Sequence, residues 1–228
     1  MRFYGLEKLS LVDYDDHTAA TIFTGGCNLL CPFCHNAGLV KVEGSAIYDE
    51  EEILAYLQKR RGLLDGLAIT GGEPTLHKDL PDFIKKVKDL GYEVKLDSNG
   101  TDPAMLKYLF DADLVDYAAM DIKNSPGKYA LTVGKNIDLA PIKESVQLIM
   151  SEAKDYEFRT TIVEQFHTED DIESIGKWLE GAKKYALQKF TDSGNCLESG
   201  FSAISDERAE NFLNIVKKYI PNSKLRGY

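Results

Sequence analysis

The stretch Phe23-Thr24-Gly25-Gly26-Cys27-Asn28-Leu29-Leu30-Cys31-Pro32-Phe33-Cys34-His35-Asn36 decides how the rest of the chain is read. It places three thiols within eight residues, spaced C-x3-C-x2-C. One loop can therefore turn back on itself and present all three sulfurs to a single inorganic centre. Cysteine thiolates are the usual ligands of iron–sulfur clusters, and a [4Fe–4S] cube ordinarily takes four. With only three supplied, a cube here keeps one iron open to a small molecule. A structural zinc site needs four ligands, commonly two C-x2-C knuckles or one knuckle and paired histidines. His35 sits beside Cys34, poorly placed to complete the same tetrahedron, and the remaining cysteine, Cys196, is remote and alone. A disulfide scheme leaves one of three clustered thiols unpaired, and nothing marks the chain as secreted. Spacing favours a cluster over zinc or plain buried thiols, and by itself leaves all three open.

Around that loop, 228 residues suffice for one well-buried core, and no linker interrupts them, so one domain over 1–228 is expected. No apolar run approaches the roughly 20 residues a membrane span requires. The first residues, Met1-Arg2-Phe3-Tyr4-Gly5-Leu6-Glu7-Lys8, lack the apolar core of a signal peptide. The expected compartment is the cytoplasm. A net charge of -10 argues against a large nucleic-acid footprint, which needs clustered Lys and Arg.

Short apolar runs alternate with helical periodicity from residue 17 onward. Strands are expected over 17–23, 67–70, 92–96, 115–120, 156–163 and 185–190. Helices are expected over 49–61, 80–90, 103–110, 142–153 and 170–184, with a closing helix at about 205–220. The acidic run Asp49-Glu50-Glu51-Glu52 suits a helix N-terminus, and Gly91 stops the helix before it. Six βα units imply a parallel sheet with helices outside it, an α/β fold short of the eight units of a closed barrel. The stretch 124–138, rich in Gly, Lys and Asn, reads as a solvated surface connection, with an ordering or partner-facing loop as the alternative.

Parallel barrels place ligands at the C-terminal ends of their strands, and the unusual polar motifs fall there. The cysteine loop, 24–38, follows the first strand; Gly71-Gly72-Glu73-Pro74 follows the second. Two glycines let a backbone pass close to a ligand, and Glu73 offers a carboxylate acceptor. Asp97 and Ser98 end the third strand, Asp121 and Lys123 the fourth. Arg159 lies inside the fifth, where a charge is costly unless paired; it serves a ligand or a structural ion pair. Gln188 on the sixth faces the same choice.

F-x2-G-C-x3-C-x2-C followed by His-Asn resembles the signature of the activating enzymes of glycyl radical enzymes, within the radical S-adenosylmethionine (SAM) superfamily. The likeness covers the whole chain in length and motif order. It is strongest toward the activating proteins of anaerobic (class III) ribonucleoside-triphosphate reductase, a branch supported by Ser10-Leu11-Val12-Asp13-Tyr14 and Ala20-Thr21-Ile22-Phe23. The resemblance implies a partial (β/α)6 TIM barrel, open on one side. It implies that Cys27, Cys31 and Cys34 hold a [4Fe–4S] cluster whose open iron binds SAM through its amino and carboxylate groups. Gly71, Gly72, Glu73, Asp97, Ser98, Lys123 and Arg159 match positions that hold SAM, and Gln188 stands where related activases have a histidine. Phe33 takes an aromatic position near the adenine, with a core aromatic as the plain alternative. His35 is a hydrogen-bond donor to a cluster sulfide or ligand, or a cap of the loop. Asp97, Ser98 and Asp121 offer oxygens to a monovalent cation, and Cys196 reads as a free thiol.

The implied reaction is one-electron cleavage of SAM to methionine and a 5′-deoxyadenosyl radical, which takes a hydrogen atom from a glycine Cα of a partner enzyme. The partner implied is the anaerobic reductase, with flavodoxin or ferredoxin as electron donor because the chain carries no cysteine-rich insert of its own. Two other readings compete: a radical SAM enzyme acting on a small molecule, such as a 7-carboxy-7-deazaguanine synthase-like protein, and a non-catalytic metal-binding module. The His-Asn after the third cysteine weighs against the first, and the second makes no use of Glu73 or Lys123.

Overall fold

In the computed structural model, all residues except 43–44 and 193 are described. Two short strands, β1 (Arg2–Phe3) and β2 (Gly5–Ser10), precede the βα alternation. Then follow β3 (Ala19–Thr24), α1 (Ala37–Val40), β4 (Tyr48–Asp49), α2 (Glu50–Arg60), β5 (Gly66–Gly71) and α3 (Leu80–Asp89). Next come β6 (Glu93–Ser98), α4 (Pro103–Asp111), β7 (Tyr117–Asp121), α5 (Tyr129–Thr132) and α6 (Ala140–Glu152). The chain closes with β8 (Asp155–Ile162), α7 (Glu169–Trp178), β9 (Tyr185–Lys189), α8 (Asp206–Val216) and β10 (Ser223–Arg226).

The main sheet has eight strands in the order β10-β9-β8-β7-β6-β5-β3-β2. Neighbours from β10 to β3 run parallel, and β2 pairs antiparallel with β3. β2 and β10 are the two edges, so the sheet curls into a barrel that stays open, an α/β fold as expected. The sequence pattern placed six strands in it; the structure adds β2 and β10. Both are largely polar, Gly5-Leu6-Glu7-Lys8-Leu9-Ser10 and Ser223-Lys224-Leu225-Arg226, and neither carries the apolar run of a strand buried on both faces. α7 stops at Trp178, short of the expected 184, as Gly181 takes a positive φ of 86° that breaks the helix.

Alternation along the strands separates two environments. Ala20, Ile22, Leu67, Ile69, Val94 and Leu96 join Phe83, Ile84, Val87 and Leu106 of the surrounding helices in one apolar cluster. Each such side chain stabilises the fold by about 1.5–3 kcal/mol on full burial. The other face of the strands points into the barrel and is polar. Helix starts fix the layer: Asp49 with Glu52, and Thr168 with Asp171, form capping boxes, while Asp102 accepts from the Met105 amide before Pro103. At the N-terminal ends of the strands, the loop between β2 and β3 crosses to the far edge. There Asp15 meets Lys224 at 2.7 Å and Arg226 at 3.5 Å, and Arg226 forks onto Glu157 at 2.9 Å per arm. The opposite, C-terminal ends remain free for a site.

Candidate functional site

The cysteine loop leaves β3 and is held in place by several distant segments. The Gly26 amide donates to Leu39 O (2.7 Å), the Leu30 amide to Val133 O (3.0 Å) and the Glu198 amide to Pro32 O (2.9 Å). Lys135 Nζ donates to Asn28 O at 3.0 Å. Two of these ties come from the stretch 124–138, which is no solvated connection. Asn124, Tyr129, Thr132 and Val133 are completely buried in it, and a Cβ on Gly134 would fall 2.4 Å from Leu30 O. The stretch orders the cysteine loop, the alternative the sequence left open. Composition misled because its Gly, Lys and Asn serve contacts rather than solvent.

Gly71-Gly72 packs against the same loop. A Cβ on Gly72 would lie 2.0 Å from Gly26 O, and one on Gly71 (φ +111°) 2.5 Å from the Thr24 backbone. The Glu73 amide donates to Gly26 O at 2.7 Å, and Asn36 Nδ2 to Gly71 O at 3.3 Å. The double glycine thus lets two strand ends approach closely, the crowding that glycine alone tolerates.

All three cysteines line a cavity of about 400 Å³, together with Phe33, His35, Asn36, Gly71, Gly72 and Glu73 from the neighbouring loops. Its inner wall carries Asp97, Ser98, Asn99, Asp121, Lys123, Arg159, Thr161 and Gln188 from β6 to β9 and the turns after them, and its floor Asp13 and Thr21. Every residue the sequence singled out as a ligand contact therefore meets at one place. Cys31 is buried, and burial pushes its thiol up to about 11, partly offset by the Lys123 ammonium. Cys27 and Cys34 are half-buried. Among the described residues no three His, Cys, Asp or Glu side chains group tightly enough to hold a single metal ion.

The inner wall is a chain of charges. Lys95 pairs with Asp97 Oδ1; Arg159 donates from Nη1 to Asp97 Oδ2 and from Nε to Asp121 Oδ1, both at 3.0 Å. Lys123 Nζ donates to Asp121 Oδ2 at 2.9 Å. Burial opposes ionisation of Asp121, but Arg159 and Lys123 outweigh it and hold its carboxyl well below the usual range. Burial likewise works against the Lys123 ammonium, and Asp121 more than restores it. Of this chain, Arg159 and Lys123 line the cavity where they can meet a carboxylate ligand, and Asp97 and Asp121 fix their positions.

Glu73 and Ser98 line the cavity and are also bonded to each other. The Glu73 carboxylate is 1% exposed. It accepts from the Thr75 amide and hydroxyl (3.1 and 2.6 Å), Ser98 Oγ (2.9 Å) and the Asn99 amide (2.6 Å). Burial raises its pKa against the pull of those donors. The carboxylate ties the turn after β5 to the end of β6, and what the turn offers a ligand is backbone. At the oxygens expected for a cation, Ser98 donates to Glu73, and Asp97 and Asp121 hold Lys95, Arg159 and Lys123. Successive residues of a strand face opposite sides, so Ser98 turns to Glu73 while Asp97 faces the barrel. Both aspartates already hold Lys95, Arg159 or Lys123. Lys95 was missed in the sequence, although its two-residue offset from Asp97 puts both on one face.

Phe33 is 5% exposed and packs with Phe166, Phe190 and Phe201 at centroid distances of 5.4, 6.4 and 6.3 Å. It is a core aromatic that also borders the cavity. His35 stacks on Phe190 at 5.2 Å. Behind Lys123, the buried His167 accepts the Val163 amide at Nδ1 (3.1 Å), which leaves Nε2 to donate to Lys123 O at 3.0 Å. The donor set fits a polynuclear cluster with an open corner, and Lys123 and Arg159 in the cavity wall fit the carboxylate of an amino-acid ligand beside it.

A sequence profile of the radical SAM superfamily matches residues 21–179. The chain is 34% identical over 230 residues to a protein of Methanocaldococcus jannaschii named provisionally as a glycyl-radical enzyme activating enzyme, across 97% of this chain and 94% of the relative. Among solved structures, a domain of the pyruvate-formate lyase-activating enzyme of Bacteroides vulgatus has TM-score 0.59 at 16% identity, covering 71% of this chain and 99% of that domain. Streptococcus suis SuiB bound to S-adenosylmethionine has TM-score 0.72 at 13% identity, covering 90% of this chain and 49% of its own. At such identities the two structures speak to the fold alone.

Proposed function

Because the chain belongs to the radical SAM superfamily, we propose that this radical SAM enzyme activates a glycyl radical enzyme, taking a hydrogen atom from a glycine Cα of its partner. The carrying observation is the meeting of the three cysteines, the double glycine and the Asp97–Arg159–Asp121–Lys123 chain at one cavity on the strand ends. The relative matched over nearly the whole chain supports the activase over other radical SAM chemistries. When bound, a [4Fe–4S] cluster and SAM together supply the one-electron cleavage that yields the 5′-deoxyadenosyl radical.

The chain's own residues hold and orient. Cys27, Cys31 and Cys34 are the cluster ligands. Lys123 and Arg159 receive the SAM carboxylate, with Asp97 and Asp121 fixing their positions. Gly71 and Gly72 present backbone to its amino group, and Glu73 and Ser98 keep that turn in place. Phe33 and Gln188 border the adenosyl half and limit water around it. The open edge between β2 and β10 suits a macromolecular substrate better than a sealed barrel would. We take 1–228 as one radical SAM domain, the cytoplasm as its compartment, and flavodoxin or ferredoxin as its electron donor. The anaerobic ribonucleoside-triphosphate reductase is the partner to try first. Among the described residues no helix is long and apolar enough to cross a membrane.

The test is anaerobic reconstitution with iron and sulfide, then reduction with SAM, with and without the reductase. 5′-Deoxyadenosine together with a glycyl EPR doublet on the reductase is the expected result. 5′-Deoxyadenosine without a doublet on any glycyl radical enzyme tried would move the substrate elsewhere, to a small molecule or another peptide. No cleavage by a reducible cluster would overturn the reading.

A further inference from the structure

The three cysteines are not equivalent. The Leu29 amide donates to Cys27 Sγ at 3.4 Å, and Asn99 Nδ2 approaches the same sulfur at 3.8 Å. Among the described residues neither Cys31 nor Cys34 receives an N–H at its sulfur. Like Glu73, Asn99 makes four side-chain contacts of hydrogen-bond type in the cavity wall. Its Oδ1 accepts from the Thr101 amide (3.0 Å) and hydroxyl (2.7 Å). Its Nδ2 donates a second hydrogen to Asn28 Oδ1 at 2.9 Å, and its backbone amide donates to Glu73 at 2.6 Å. Oxygen and nitrogen of a carboxamide are often interchangeable, but a backbone amide can only donate. The Thr101 amide therefore fixes Oδ1 on its own side and leaves the amino group facing Cys27.

We infer that Asn99 is a positioning residue that sets the reduction potential of a cluster held at Cys27, through an N–H aimed at that ligand's sulfur. The inference rests on the three thiols being cluster ligands. Reduction adds negative charge that spreads onto the thiolates, and a fixed N–H dipole stabilises it. Hydrogen bonds to cluster sulfurs are among the main determinants of such potentials. Loss of a partner around a metal ligand commonly changes affinity or activity 10–100-fold. With Asn99 gone, the cluster becomes harder to reduce. The ratio of reduced to oxidised cluster at a fixed potential falls about tenfold, equivalent to about 59 mV for a one-electron couple.

The experiment reconstitutes wild type, Asn99→Ser and Asn99→Asp anaerobically, counts iron and sulfide per chain, and titrates the cluster potentiometrically by the EPR signal of its reduced form. Both variants should fall, Asn99→Asp at least as far as Asn99→Ser. A purely structural role predicts the reverse for Asn99→Asp, which keeps the acceptor for Thr101 and nearly the same shape. Midpoints within twofold of wild type in the reduced ratio, on fully loaded variants, overturn the inference. If Asn99 variants fail to hold a cluster, Thr101→Val tests the same chain by removing the hydroxyl that donates to Asn99 Oδ1, so that the backbone amide alone holds the carboxamide. Its midpoint should move in the same direction by a smaller amount, and an unchanged midpoint overturns the inference. Wild type that takes up iron without sulfide would instead defeat the cluster reading beneath it.

Discussion

Arg159→Met removes the guanidinium that joins the two aspartates of the inner wall and leaves a side chain of similar length. Arg159 is 12% exposed, and its partners Asp97 and Asp121 are 14% and 30% exposed. Taking one member from a buried ion pair costs about 3–5 kcal/mol, because its partners are left short of charge. Here Lys95 and Lys123 still hold one oxygen of each aspartate, which argues for the lower end, about 3 kcal/mol. With a urea slope of about 2–3 kcal/mol per M, the midpoint should move down by about 1 M. Both carboxyls are held below their ordinary range despite burial, with Arg159 the leading charge in each case. Lowered folded pKa values contribute stability that is present above the unfolded value near 3.9 and lost as pH falls through the folded values. Wild type should therefore lose stability more steeply than the variant between about pH 4 and 2. Arg159 is one of the cations lining the cavity, so SAM affinity should weaken at pH 7 as well. Urea unfolding of the cluster-free protein by circular dichroism at pH 7, 4 and 3 reads the first effect, and equilibrium dialysis on loaded protein the second. A midpoint at pH 7 within about 0.3 M of wild type, or parallel loss of stability with acid, would refute the buried network.

Gly72→Ala should destabilise by about 3 kcal/mol or more, since its Cβ meets a backbone oxygen at 2.0 Å and the Glu73–Gly26 bond must break; an unchanged thermal midpoint would contradict the close approach. Glu73→Gln should cost about 2 kcal/mol by setting an amino group against one of four donors, while the SAM Kd changes less than twofold. Lost SAM binding with intact stability would restore the carboxylate as a direct ligand contact. Cys196→Ser should keep wild-type iron and sulfide, whereas serine at Cys27, Cys31 or Cys34 should lose cluster and 5′-deoxyadenosine formation; a retained cluster in any of the three removes that residue from the ligand set.

The six parallel strands were legible because the face packed on the helices demands apolar residues, which leaves short apolar or alternating runs with turn residues between them. β2 and β10 escaped because edge strands need no such run. The cavity was legible for a different reason: its polar residues sit at strand ends, where a purely structural chain has no use for Asp97, Asp121 and Lys123 together. What spacing could not supply was direction. Glu73 and Asp97 read alike as acceptors, yet one faces a turn and the other a guanidinium across the barrel. Asn99 lay inside a stretch already singled out, and only the Thr101 amide that fixes its orientation gives it a role. The stretch 124–138 was misread because composition reports what a segment contains, while burial of Tyr129 and Val133 depends on a loop almost a hundred positions away.

Those ties on the cysteine loop bear on how the enzyme comes to be loaded. Fixing a backbone costs about 1–2 kcal/mol per residue, so ordering the eight residues from Cys27 to Cys34 amounts to roughly 10 kcal/mol. In small metal-dependent domains that cost falls on metal binding, and the metal-free chain unfolds. Here Val133, Lys135, Leu39 and Glu198 hold the loop as part of the fold itself. These ties carry part of the loop's ordering cost within the fold, leaving less of it to fall on a ligand.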